Sequence, residues 1–371
     1  MKYYIIAGEA SGDVHAANLI RSIMQKDANA VFRAWGGDRM EAQGAEIVKH
    51  YRDLAFMGFV EVLLNIRTIS RNISFCKKDI LAFNPDVLIL VDYPGFNLRI
   101  AEFAHKQGIK VVYYISPQVW AWKKSRVHKI KRVVDKMLVI LPFEKAFYEK
   151  YGVDVDFVGH PLLDEIKSQR KINKSEFLEK NKLNSKPIIA LLPGSRKQEI
   201  NSMLNRMLAV INHFPDHQFV VAGLSSVADG FYHDIIKKVP AKLVMDQTDG
   251  LLQHAEAALV TSGTATLETA LMEVPEVVCY KGNFISVAIA RRIISVKFIS
   301  LVNLIMEREI VKELIQDQLN TKNLVYELGL IVHDKKKLLQ LKEDYNELKE
   351  KLGEEGASSR ATKLILEMIK E

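Results

Sequence analysis

The chain has 371 residues, 48% hydrophobic and 26% charged, a composition that excludes a disordered, collagen-like or disulfide-stapled protein and suits two or more globular domains. Lysine and arginine (52) outnumber aspartate and glutamate (45), for a net charge of +7, which favours phosphates, nucleic acid or an anionic membrane without choosing among them. The two cysteines, Cys76 and Cys279, are far apart and not in metal-ligand spacing, so a reducing cytosolic compartment is expected.

The first apolar run, residues 3–7, reads as a buried strand. It is too short for the core of a signal peptide and meets Gly8-Glu9 at once. No window holds the 18 or so apolar residues of a membrane span. A helical pattern follows over 14–24, and the theme then repeats. Strands are predicted at 87–91, 111–115, 137–141 and 155–158, with helical patterns such as 97–107 and 144–151 between them. After Gly159-His160-Pro161 comes a polar stretch, 167–186, and the alternation restarts with strands at 188–192, 219–222, 243–245, 257–260 and 277–280. The tail from Asp334 is helical, charged and without strands. Such alternation predicts βαβ units and parallel sheets. The expected class is α/β, with Rossmann-like domains over 1–165 and 166–335 and C-terminal helices over 336–371.

Ligands of doubly wound sheets bind beyond the carboxyl ends of the strands, so chemistry is sought in those loops. Two such domains facing each other would form a cleft lined by them. The first loop, Gly8-Glu9-Ala10-Ser11-Gly12-Asp13, joins a strand to a helix N-terminus that can receive an anion, or is a turn capped by Ser11 or Asp13. The second, Asp92-Tyr93-Pro94-Gly95-Phe96-Asn97, puts Asp92 where a strand ends, the place for a general base or for a simple helix cap. The third places Trp120 and Trp122 before a helix. One face of that helix carries Val127 and Ile130, and the other Lys123, Lys124, Arg126, Lys129, Lys131 and Arg132. That face suits phosphate or anionic lipid, or is merely solvated. It carries no recognised nucleic-acid motif, so no nucleic-acid partner is expected.

In the second half, Leu192-Pro193-Gly194-Ser195-Arg196 and Thr261-Ser262-Gly263-Thr264 each follow a strand and open a helix, with Glu268 one turn further on. Both suit a diphosphate, Arg196 adding a cation and Glu268 an acceptor for ribose hydroxyls, although each alone could be a cap. Neither has the spacing of a phosphate-binding Walker loop, and no G-x-S-x-G elbow occurs. Two apolar stretches, 56–66 (with Met57 and Phe59) and 284–298, are edged with cations. They read as core, or as an interfacial helix or acyl-chain groove.

In order along residues 6–316 stand G-E-A-S-G-D, S-P-Q-V-W-A-W, L-P-F-E-K-A-F-Y, V-G-H-P, L-L-P-G-S-R, S-G-T-A-T-L-E and N-L-I-M-E-R-E-I-V-K-E-L-I-Q. That ordered set resembles the lipid-A-disaccharide synthases. The resemblance implies the GT-B fold of two facing Rossmann-like domains. It also implies an inverting transfer from UDP-2,3-diacylglucosamine to 2,3-diacylglucosamine 1-phosphate, giving a β-1,6-linked disaccharide 1-phosphate and UDP. No metal or other cofactor is implied. Ser195, Arg196, Ser262, Gly263 and Thr264 would hold the diphosphate, Glu268 the ribose, and Asn303 would lie on the donor side. Ser11, Met57, Phe59, Trp120, Lys123, Lys124 and Arg126 would serve the acceptor and the membrane. Many members carry a second acid where Gly95 stands here, so Asp92 becomes the candidate base, with Asp13 second. The resemblance further implies a peripheral enzyme on the cytoplasmic face of the inner membrane. It also implies a homodimer that exchanges C-terminal segments, unless those helices return to their own first domain. Two other readings compete: a different GT-B transferase or epimerase, and a non-catalytic acylated-sugar-binding protein.

Overall fold

The computed structural model describes residues 1–53, 66–121, 124–282 and 297–370. These form two units, Met1–Asp164 with Glu354–Glu371, and Glu165–Gly353.

The first unit holds β1 (Lys2–Ala7), β2 (Val31–Gly36), β3 (Glu46–His50), β4 (Val87–Val91), β5 (Lys110–Tyr114), β6 (Lys136–Val139) and β7 (Asp156–Phe157) in the order β3-β2-β1-β4-β5-β6-β7. Neighbouring strands are parallel throughout. Parallel strands are covered on both faces, which is why the central ones are continuous apolar runs; every residue of β4 is buried. The outer strands β2 and β3 have no such run. Arg33 in β2 leaves the apolar pattern to pair with Asp79 at 2.8 Å.

The second unit repeats the plan with β8 (Ile188–Leu192), β9 (Gln218–Gly223), β10 (Ala241–Met245), β11 (Ala255–Thr261), β12 (Glu276–Tyr280) and β13 (Lys312–Ile315). Their order is β10-β9-β8-β11-β12-β13, again all parallel. The edge strand β13 reads Lys-Glu-Leu-Ile, too charged and short to be seen as a strand in the sequence.

Each sheet reverses its winding once: between β1 and β4 in the first unit, and between β8 and β11 in the second. The register there sets Ala7 beside Val91 and Leu192 beside Val260. At such switch points the two strand-end loops diverge and leave a crevice.

The chain beyond residue 335 is divided between the units. Helix Lys335–Leu352 stays with the second, where the Tyr345 hydroxyl donates to the Val274 carbonyl at 3.3 Å and Lys349 pairs with Glu273 at 2.5 Å. Helix Ala357–Lys370 belongs to the first. There Thr362 meets Ser22 through their hydroxyls at 2.9 Å, Lys110 donates to the Met368 carbonyl, and Arg360 donates to the Val158 carbonyl at 2.9 Å.

Candidate active site

The four loops flanking the two switch points are the Gly8–Gly12, Asp92–Gly95, Pro193–Arg196 and Ser262–Thr264 segments singled out in the sequence. In the first unit, Gly8 ends β1 and the Tyr93 ring lies directly over it. A Cβ on Gly8 would stand 2.4 Å from that ring. Asp92 and Tyr93 both have left-handed backbone, at φ 42° and 47°, before Pro94 starts helix Pro94–Lys106 with its fixed φ. The Asp92 carbonyl accepts hydrogen bonds from Asn97 Nδ2 (2.8 Å) and from the Tyr113 hydroxyl (2.5 Å). Burial pushes the Asp92 carboxyl up to about 7, and the negative charge of Glu9 adds to this while His15 opposes it. A carboxyl poised there changes its proton near neutral pH, as a general base must.

Asp13 is differently employed. It is 2% exposed, and its two oxygens accept from the backbone N–H groups of Gly37 (2.8 Å), Arg39 (3.1 Å) and Met40 (3.2 Å). It therefore ties helix Ala10–Met24 to the loop after β2. His15, on the same helix, is buried with its ring 6.5 Å from that of His160. Burial, then His15, pulls His160 down to about 3, and its Nδ1 accepts the Leu162 N–H, so it is a neutral side chain. Ser11 is exposed in the first turn.

Beyond β5, Trp120 is buried rather than at an aromatic surface edge. Its indole N–H donates to Glu144 at 3.2 Å, and its ring meets Phe143 edge-on at 4.9 Å. Glu144 also accepts the N–H groups of Ile140 and Leu141. Burial raises it to about 7 against those bonds. Indole nitrogen needs a partner when buried, and a carboxyl from the first turn of helix Pro142–Glu149 supplies it. The basic helix, Arg126–Val133, is not uniform. Lys124 stands in open water, Lys129 is paired with Glu102 at 2.6 Å, and Arg126 is half-buried, its charge disfavoured by burial and steadied by Tyr113. Met57, Phe59 and Lys123 lie outside the described residues, as do Trp122 and residues 284–296.

In the second unit, Gly194 takes φ 106°, a region that favours glycine. The Glu199 side chain folds over it and accepts the Ser195 N–H at 3.0 Å. Arg196 is exposed where helix Lys197–Leu208 begins. Across the switch point, the Ser262 hydroxyl donates to the Ile299 carbonyl at 3.0 Å. Gly263 faces open space, and Thr264 opens helix Thr264–Leu271 with its side chain exposed. Glu268, one turn on, is held well above the carboxylate range by burial and by its hydrogen-bonded neighbour Asp249, with Glu165 adding to the effect.

Asn303 is the residue whose surroundings depart furthest from the sequence reading. It is fully buried. Its amide nitrogen donates to the Val311 carbonyl (2.8 Å) and to Glu313 (2.9 Å), and its oxygen accepts from the N–H groups of Ile310 (2.8 Å) and Val311 (3.1 Å). That exhausts its two donors and two lone pairs, so it holds the loop before β13 rather than offering a group to a ligand. Tyr113, Glu144, Glu199 and Asp249 enter the site region without having been singled out in the sequence. Tyr113 and Glu144 are hidden inside an apolar strand and a helix cap, and the other two are single acids on helices.

A family sequence profile described as lipid-A-disaccharide synthetase matches residues 3–369. Lipid-A-disaccharide synthase from Trichlorobacter lovleyi is 38% identical over 375 residues, with 99% of this chain and 97% of that one covered. The chain belongs to the lipid-A-disaccharide synthase family. The synthase from Syntrophus aciditrophicus is 39% identical over 374 residues, with the same shares of 99% and 97%. Family membership makes the chain a glycosyltransferase of lipid A biosynthesis. Among solved structures, S. aureus MnaA with UDP is similar at a TM-score of 0.71 and 15% identity, covering 100% of this chain and 98% of that one. The glycosyltransferase of kitacinnamycin is similar at 0.67 and 13%, with 99% of each chain covered. UDP-GlcNAc 2-epimerase from Neisseria meningitidis, solved bound to UDP-GlcNAc, is similar at 0.62 and 13%, with 100% of each covered. At those identities the likeness is one of fold: the two parallel-sheet Rossmann-like domains of the GT-B class.

Proposed function

We propose that this synthase joins UDP-2,3-diacylglucosamine to 2,3-diacylglucosamine 1-phosphate in one inverting displacement. The acceptor's 6-hydroxyl oxygen attacks the donor's anomeric carbon, the bond from that carbon to the β-phosphate oxygen breaks, and UDP departs with the electron pair. Asp92 takes the hydroxyl proton, so the products are the β-1,6-linked disaccharide 1-phosphate, UDP and protonated Asp92, which returns its proton to solvent. The observation that carries this reading is the Asp92 carboxyl, raised to about 7 at the carboxyl end of β4. Asp13, with three N–H partners, is assigned to holding its loop.

The donor's diphosphate is assigned to Ser195, Arg196, Ser262, Gly263 and Thr264, where two helix N-termini and one cation face the departing charge. Ribose hydroxyls are assigned to Glu268. Half-buried Arg126 is the cation assigned to the acceptor phosphate, with Ser11 on the same side, and exposed Lys124 to lipid headgroups. No helix among the described residues is long and apolar enough to cross a membrane. The net charge of +7 and the exposed Lys124, with membership of a family that acts on acylated sugars, support the reading of a peripheral enzyme on the cytoplasmic face of the inner membrane. The partner reading extends to a homodimer in which a second copy would receive the contacts helix Ala357–Lys370 makes with its own unit.

A base must be ionised to act, so kcat/KM should rise with pH through about 7 and then level off. The same shift has the opposite effect on folding. Between the ordinary 3.8 and about 7 the folded chain holds a proton that the unfolded chain has lost. Stability therefore falls as pH rises through that window, and Asp92→Asn should recover about 4 kcal/mol at pH 8 and little at pH 4. UDP release from UDP-2,3-diacylglucosamine in mixed micelles, with and without acceptor, tests the reading. Acceptor-dependent release in the wild type that is lost in Asp92→Asn, alongside greater urea resistance at pH 8, is expected. Release that survives the substitution would move the base to Asp13, and release in neither protein would leave a binding protein.

A further inference from the structure

Three non-glycine residues with left-handed backbone meet at one corner of the first sheet: Asp92 (φ 42°), Tyr93 (φ 47°) and Ile115 (φ 65°). A Cβ makes this region costly, most of all for a β-branched side chain, and residues persist there only where their surroundings over-determine them. The surroundings here are specific. The Asp92 N–H donates to the Ile115 carbonyl at 3.2 Å, joining the loops after β4 and β5. The Asp92 carbonyl receives Asn97 Nδ2 at 2.8 Å and the Tyr113 hydroxyl at 2.5 Å. Asn97 Nδ2 also lies 3.2 Å from the Val91 carbonyl and 3.4 Å from that of Ile6, so it serves the end of the sheet as a whole. Tyr113 is fully buried in the apolar strand β5, and the acceptor of its hydroxyl proton is the Asp92 carbonyl. A phenylalanine would fill the same space, and what the tyrosine adds is the pin on that carbonyl.

We propose that Tyr113 is a positioning residue for Asp92. Its hydroxyl holds the peptide in the left-handed turn, and the turn directs the carboxyl out of the strand's line at the carboxyl edge of the sheet. The inference rests on the reading of Asp92 as the base. The charged and titratable groups near that carboxyl are Glu9 and His15 from the segment after β1, Tyr93 on its own loop, and Tyr113 from β5.

The test uses the full chain and UDP release, comparing wild type, Tyr113→Phe, Asp92→Asn and the double variant, with rates normalised to the fraction folded. Tyr113→Phe is expected to lower kcat by roughly 10- to 100-fold with the donor KM unchanged within about twofold. Its acidic pH limb should move from near 7 toward the ordinary carboxylate range as the carboxyl relaxes into water. In the Asp92→Asn background the same change should alter the residual rate by less than about twofold, because it acts through Asp92. A wild-type kcat and pH limb in Tyr113→Phe would overturn the proposal while leaving the base reading intact, as would equal losses in both backgrounds. Full activity in Asp92→Asn would instead sink the base reading, and the proposal with it. If Tyr113→Phe folds too poorly to assay, the comparison is made on an Ile115→Gly background, where glycine relieves the strained corner.

Discussion

At Asn303, all four hydrogen-bonding positions of the amide are spent inside the second unit, on Ile310, Val311 and Glu313. Asn303→Ala should therefore cost about 3 kcal/mol of stability, from several buried groups left unpaired. The UDP affinity of the folded fraction should stay within twofold. Urea unfolding and calorimetric titration with UDP check this pair of outcomes, and a tenfold loss of affinity at unchanged stability would return the residue to the donor. Asp92 is the opposite case, a side chain whose neighbours act on its charge while its backbone is pinned by Tyr113 and Asn97. Sequence reading could place Asp92 at a strand end because β4 is an unbroken apolar run. It could not assign Asn303 or Trp120, since a polar group shows whether it is spent or free only when its partners are in place. Gly95, where the family resemblance implies a second acid, faces open space.

Among the elements, the loop from β8 into helix Lys197–Leu208 carries the most informative detail. Its Ser195 N–H, one of the donors suited to phosphate, is taken by the Glu199 carboxylate from the next turn. A carboxylate at a helix N-terminus is favoured by the same dipole that favours phosphate, so Glu199 stands in an anion's place and would have to yield to one. Glu199→Ala should tighten UDP binding by roughly 3- to 10-fold while costing about 1 kcal/mol of stability through the lost cap. Calorimetry and thermal unfolding measure the two effects. Weaker binding in Glu199→Ala would mean that the diphosphate does not use this loop. The loop was legible as a glycine turn opening a helix, whereas the carboxylate that covers it appeared only when the helix brought residue 199 back over residue 194. Strands β2, β3 and β13 were not legible either. Away from the sheet centres, charged residues such as Arg33 and Lys312 interrupt the apolar pattern that marks a buried strand.

For the whole molecule, the allocation of the tail matters most. Helix Ala357–Lys370 covers helix Ala10–Met24 in the first unit, while helix Lys335–Leu352 remains in the second. Ending the chain at Gly353 should therefore uncover the first unit and spare the second. Calorimetry should show one unfolding transition lowered by roughly 10 °C or more, given the loss of a helix with buried Ala357, Ala361 and Ile365, and UDP titration should remain close to wild type. Loss of UDP binding with a single lowered transition would show the two units to be inseparable. The sequence by itself determined the α/β class, the repetition of a strand-and-helix plan, the family, and the glycine-bearing loops at the strand ends, because apolar period and glycine spacing are local properties. Tertiary structure alone decided the strand orders β3-β2-β1-β4 and β10-β9-β8-β11 that put those loops at the switch points. It also decided which polar groups are already satisfied and which half of the tail belongs to which unit. Those are outcomes of long-range packing, in which each residue's role depends on partners tens to hundreds of positions away.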